Sequence, residues 1–187
     1  MANNQTKTTK YEHILPLLVA MEESSDVKGI IVLLNTMGGD VEAGLAIAEM
    51  IAGMSKPSVS LVLGGGHSIG ITLATAADLS YIVPTATMMI HPVRLNGLVI
   101  GVAQTFNYFR RMQDRVIDFV TNHSKIDRDT LLSMMLETDE MANDVGKIVI
   151  GKEAVDCGLI DRVGSIADAL SELRKRIDES KNDNDND

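Results

Sequence analysis

Tryptophan is absent, phenylalanine and tyrosine occur three times each, and one cysteine, Cys157, stands in a chain of 187 residues. With aromatics at 3%, the stacking platforms that single-stranded nucleic acid needs are scarce. A lone cysteine excludes an intrachain disulfide and fits a reducing compartment, where it reads as a small core-filling thiol. Basic charge is also short: 17 Lys and Arg against 26 Asp and Glu leave a net charge of -9 at pH 7. No basic patch is evident, so a phosphate-backbone partner is not expected. No segment has 18 uninterrupted apolar residues, and residues 1–10 lack the apolar stretch of a signal peptide. The expectation is a cytoplasmic protein without membrane insertion. No cofactor or metal is called for.

What is present suits one globular domain. Hydrophobic residues make up 45% of the chain, mostly Ile, Leu, Val, Ala and 11 Met. The expected domain covers residues 1–181, and the polar run 182–187 reads as a disordered acidic tail. Helical spacing begins at Tyr11, with Ile14, Leu17, Leu18 and Met21 on one face. A continuous apolar run over 29–34 predicts a buried strand. The loop 35–40 follows, then a helix carrying Val41, Leu45, Ala48 and Ile51 with Asp40 as N-cap. Strand, glycine loop and helix recur at 59–63, 64–70 and 69–77, and two short strands follow at 81–83 and 87–90. Successive strand-helix units predict a parallel sheet with helices on its faces. Beyond His91 come an extended stretch, 94–100, and a long helix, 102–120. Phe106, Phe109, Val116 and Val120 mark its apolar side, and Arg110, Arg111 and Arg115 its polar side. A helix over 127–136, a strand over 147–150, a helix from Lys152 to Gly158 and a last helix over 166–177, N-capped by Ser165, complete the pattern.

The chemistry centres on Gly64-Gly65-Gly66-His67-Ser68-Ile69-Gly70, which sets a serine between a strand and a helix. Gly66-x-Ser68-x-Gly70 matches a nucleophile elbow, although the stretch alone fits an ordinary tight turn as well. Serine needs a base within hydrogen-bond reach. Among the four histidines, His13 and His123 read as structural, and His67 points away from its neighbour Ser68 as a wall or packed residue. His91 ends an apolar strand and precedes Pro92, which holds it extended at a sheet edge where α/β proteins place their sites. Backbone N–H groups of Gly38, Gly39 and Ile69 are candidate oxyanion donors.

Leu34-Asn35-Thr36-Met37-Gly38-Gly39, Gly66-His67-Ser68-Ile69-Gly70, Met89-Ile90-His91-Pro92 and Glu153-Ala154-x-x-x-Gly158-Leu159-Ile160-Asp161, in that order and spacing, resemble the ClpP family of serine peptidases. The stretch from Thr87 to Gly101 is similar to its translocation-enhancing branch. The resemblance implies a ClpP/crotonase-like ββα spiral with a protruding handle helix, the head formed by 11–91 and 147–180 and the handle by 94–136. It implies Ser68 as nucleophile, His91 as general base, and Gly38, Gly39 and Ile69 as the oxyanion hole. It further implies heptameric or double-heptameric rings of the chain itself, peptide substrates lying along Gly38-Gly39 and 94–101, and a link to protein export or the secretion machinery. The family's acid position falls on Gly146, which leaves Asp144, two residues away, as the candidate acid. One helix precedes Gly29 in place of the family's axial loop and first strands, so docking to an AAA+ unfoldase stays open. Alternatives are a catalytically weak binding or assembly protein aiding translocation, a crotonase-like acyl-CoA enzyme, and an α/β-hydrolase.

Overall fold

The computed structural model describes residues 8–94, 100–139 and 145–184. In chain order the elements are α1 (Tyr11–Glu23), β1 (Ile30–Thr36), α2 (Val41–Ala52), β2 (Ser58–Gly66), α3 (Gly70–Thr75), β3 (Leu79–Ile82) and β4 (Thr87–Ile90). They continue with α4 (Val102–Asn122), α5 (Arg128–Met135), β5 (Lys147–Ile150), α6 (Lys152–Asp156), β6 (Arg162–Val163) and α7 (Ile166–Asn184).

The strand β2 is the centre of the sheet because its residues are apolar on both faces. Val59, Leu61 and Val62 are fully buried. Parallel β1 lies along one edge of β2, parallel β3 along the other, and β4 meets the end of β2 at Gly65 opposite Thr87. The short β6 extends β3, and β5 pairs with β4 antiparallel. The sheet is therefore mixed, where successive strand-helix units had predicted a parallel one. The difference arises because β5 returns to β4 from the opposite direction after α4 and α5. That pairing depends on distant residues and has no local sequence signal.

Helices cover both faces. Leu45, Ala48 and Ile51 of α2 pack with Leu18 of α1, Ile69 at the start of α3, and Val116 and Phe119 of α4. A second cluster joins Val62, Ile82, Met88 and Ile90 of the strands to Ile117, Leu131, Ala154 and Leu159. Ala169 and Leu173 of α7 close a third over Val59, Leu61 and Tyr81. Cys157 packs against the second cluster, and burial pushes its thiol up, as a packing role requires.

Capping fixes the helix starts. Asp40 Oδ1 accepts from the Ala43 N–H at 2.8 Å, and Asp127 does the same for Thr130 at 2.9 Å. Ser165 and Asp168 form a reciprocal box, in which the carboxylate takes the Ser165 N–H at 2.7 Å and Ser165 Oγ takes the Asp168 N–H at 3.3 Å.

Three expectations change. Gly64-Gly65-Gly66 belongs to β2 and not to the turn. The glycines serve close approach: a Cβ on Gly64 would run into Asn35 Oδ1, and one on Gly65 would lie 2.7 Å from the His67 ring. The register of β1 on β2 shifts here, between Leu34 and Thr36, and Asn35 Oδ1 accepts the Gly65 N–H at 3.0 Å in place of a ladder bond. Phe106 is 66% exposed, since only the second half of α4, from Val116, reaches the core. Finally, α7 runs to Asn184, into the segment whose composition suggested disorder.

Candidate active site

Ser68 is the one non-glycine residue with a positive φ, +56°, among the described residues. Such a conformation costs on the order of 1–3 kcal/mol and persists only where its surroundings hold it. Here the surroundings are two strand ends. The His67 N–H donates to Thr36 O at 3.1 Å, tying the turn to β1, and the Ser68 N–H donates to Met89 O at 2.9 Å, tying it to β4. Bonds from Gly70 N–H to His67 O and from Ile71 N–H to Ser68 O, at 2.9 and 3.1 Å, then start α3. The serine is thus held upright at the seam of three strands.

The β1 loop comes up against it. Gly38 has φ +94°, and a Cβ there would lie 2.6 Å from Ser68 Cβ and 2.9 Å from the His67 carbonyl oxygen. Only glycine fits. The Gly38 N–H is turned to Thr36 Oγ1 at 3.1 Å, so in this arrangement Gly38 shapes the approach and its N–H is engaged elsewhere. The N–H groups of Gly39 and Ile69 make no hydrogen bond among the described residues. Both residues line the cavity that Ser68 opens into.

His91 follows β4 directly, with Ile90 paired to Lys147 of β5. It is half-buried, and its Nδ1 lies 2.7 Å from Pro92 O. His91 and Ser68 line one cavity of about 270 Å³, together with Met37, Gly39, Ile69 and Pro92. No hydrogen bond joins the two side chains, as is common in a resting site. Apolar walls from Ile71, Val116 and Leu131 leave the polar groups few and convergent.

Elsewhere, His67 is packed and not part of this lining. Its ring lies over Gly65, Nε2 reaches Thr87 Oγ1 at 3.5 Å, and Nδ1 is buried without a partner. Burial first, and the neighbouring His91 second, hold His67 below the ordinary histidine value. His13 is exposed on α1. His123 stacks on Phe119 and donates from Nδ1 to the Phe119 carbonyl at 2.8 Å, a structural role. Asp144 lies outside the described residues. Gly146, where the resemblance would place the acid, has φ +137°. No cluster of three or more metal-ligating side chains occurs among the described residues.

Thr36 and the Pro92 carbonyl have places in the site that sequence reasoning missed. Thr36 anchors the turn through its carbonyl and the glycine loop through its hydroxyl. Its position just ahead of a Gly-Gly turn was a usable signal. A main-chain carbonyl leaves none.

A mixed α/β sheet flanked by helices, with a strained serine and a histidine at converging strand ends, defines a ClpP-like protein. The chain belongs to the Clp protease family, whose model matches residues 1–167. It is 56% identical over 177 residues to the translocation-enhancing protein TepA of Halalkalibacterium halodurans, covering 95% of this chain and 69% of that one. It is 27% identical over 149 residues to the ATP-dependent Clp protease proteolytic subunit 1 of Chlamydia muridarum, covering 76% and 73%. The corresponding subunit of Chlamydia pneumoniae is 28% identical over 142 residues, covering 73% and 70%.

Proposed function

We propose that the chain is a serine endopeptidase acting on short or unfolded peptides. The observation that supports this reading most is the shared cavity: Ser68 on its left-handed turn, His91 beside it, and the unengaged Gly39 and Ile69 N–H groups at its rim. Ser68 Oγ would attack the peptide carbonyl carbon while His91 Nε2 takes its proton. The two N–H groups would receive the oxyanion, and His91 would return the proton to the departing amine. Water then releases the acyl group by the reverse roles. Ser68→Ala tests this: fluorophosphonate labelling and peptide cleavage should both vanish, and cleavage that persists sinks the assignment.

The substrate proposed is an unfolded secretory precursor, because the TepA relative is named for enhancing translocation. Family membership supports self-assembly into heptameric or paired heptameric rings, and exposed Val102, Phe106 and Tyr108 on α4 offer an apolar contact surface. Within the reading, the work is cytoplasmic, and an AAA+ unfoldase is an optional partner. No helix among the described residues is long and apolar enough to cross a membrane.

A second reading, a precursor-binding assembly protein with little or no turnover, is favoured by Gly146 at the acid position. Tight binding of a precursor peptide without any label at Ser68 would select it.

A further inference from the structure

His91 Nδ1 lies 2.7 Å from the carbonyl oxygen of its own chain neighbour, Pro92. A carbonyl oxygen only accepts, so this bond requires the proton on Nδ1 and leaves Nε2 with its lone pair. That is the tautomer a general base for Ser68 must have. We propose that the Pro92 carbonyl is the positioning group for His91, taking the place a carboxylate holds in a Ser-His-acid triad; this rests on the peptidase reading above.

Both flanks of the histidine are built for it. The Pro92 ring fixes its own φ and restricts His91 to extended backbone, which sets where the carbonyl lies relative to the imidazole. The next N–H along, that of Val93, donates to Gln113 Oε1 of α4 at 3.3 Å and pins the far side of the same peptide plane. On the other flank, Gly146 presses its backbone against the base. A Cβ there would lie 2.8 Å from His91 Cβ, 3.1 Å from His91 Cα, and would run into the Ile90 carbonyl oxygen. The position at which the family pattern places its acid therefore has no room for a side chain. Nor is a carboxylate needed for the tautomer, because the single Nδ1 proton is already held.

A neutral acceptor fixes ring orientation as well as an acid does, but it stabilises the imidazolium of the transition state less. Turnover is then slower than that of a complete triad, with peptide binding unaffected.

The test combines spectroscopy and kinetics on the full chain. Magic-angle-spinning nitrogen NMR of histidine-labelled protein, with His91→Gln for assignment, should show a hydrogen-bonded Nδ1–H and a bare Nε2 on neutral His91. Asp144→Asn should change kcat/KM by no more than roughly threefold, where loss of an orienting acid costs on the order of 10⁴ in kcat. An ester replacing the Pro92–Val93 peptide bond weakens the carbonyl as an acceptor and should lower kcat about tenfold at constant KM. The ester also removes the Val93 N–H. Gln113→Leu removes that bond alone, and its loss should be the smaller. An Nε2–H tautomer, a loss beyond roughly threefold in Asp144→Asn, or equal losses for the ester and Gln113→Leu would overturn the proposal. If His91 shows the expected tautomer while wild-type Ser68 never takes a fluorophosphonate, the positioning stands and the peptidase reading falls.

Discussion

At the scale of single residues, the site is governed by positions that forbid a side chain. Gly38 combines φ +94° with a backbone 2.6 Å, at the would-be Cβ, from Ser68 Cβ. Gly38→Ala should therefore cost about 1–3 kcal/mol in a urea titration and lower fluorophosphonate labelling of Ser68 at least about tenfold. Labelling at the wild-type rate would show that the loop yields without disturbing the elbow. The buried His67 makes a prediction of the opposite kind, about pH. Its folded-state value is depressed by burial, so the unfolded chain binds the proton first as pH falls. Stability is complete above the ordinary histidine value of about 6.5 and declines as pH drops from there toward the folded value. The urea midpoint should fall between about pH 7.5 and 5.5, and His67→Phe should flatten that dependence. Asp161, which burial would raise but the bonds from Lys125 and Ser80 hold below the ordinary carboxylate range, titrates below this window.

Elements differ in how much of their stability is interior. β2 carries the sheet, and Leu61 on it is fully buried. Leu61→Ala should destabilise the protein by about 2–5 kcal/mol, read by urea unfolding. The Arg115 to Glu42 pair, which joins α4 to α2 with both guanidinium nitrogens, has side chains 53% and 52% exposed. Arg115→Ala should cost less than about 1 kcal/mol, and less still in high salt. The element boundaries most readable in the sequence were β4 and β5, where short apolar runs end at Pro92 and Gly151. The Gly64–Gly66 extension of β2 was misassigned because glycine usually marks a turn, whereas here the space is taken by Asn35 of β1 and by the ring of His67 just beyond the strand. β6, two residues long, carries no periodicity at all.

For the whole molecule, the open question is assembly. The first half of α4 leaves Val102 80% and Phe106 66% exposed, while its second half is in the core. A helix with a secure root and an apolar projecting end suits contact between copies of the chain. Phe106→Glu should leave the far-ultraviolet circular dichroism intact and lower the sedimenting mass. An unchanged mass would remove this face from the assembly.

Ser68 and His91 were legible as candidates from sequence, because a glycine-flanked serine after a strand and a histidine before proline at a strand end are local patterns with local backbone consequences. The succession of strands and helices was legible for the same reason. Only the tertiary structure decided that Gly38 gives its N–H to Thr36, that His91 Nδ1 meets the Pro92 carbonyl, and that Gly146 packs closely against His91. Those facts depend on where β1, β2, β4 and β5 meet. Such meetings are set by packing between residues far apart in the chain, and no short window of sequence contains them.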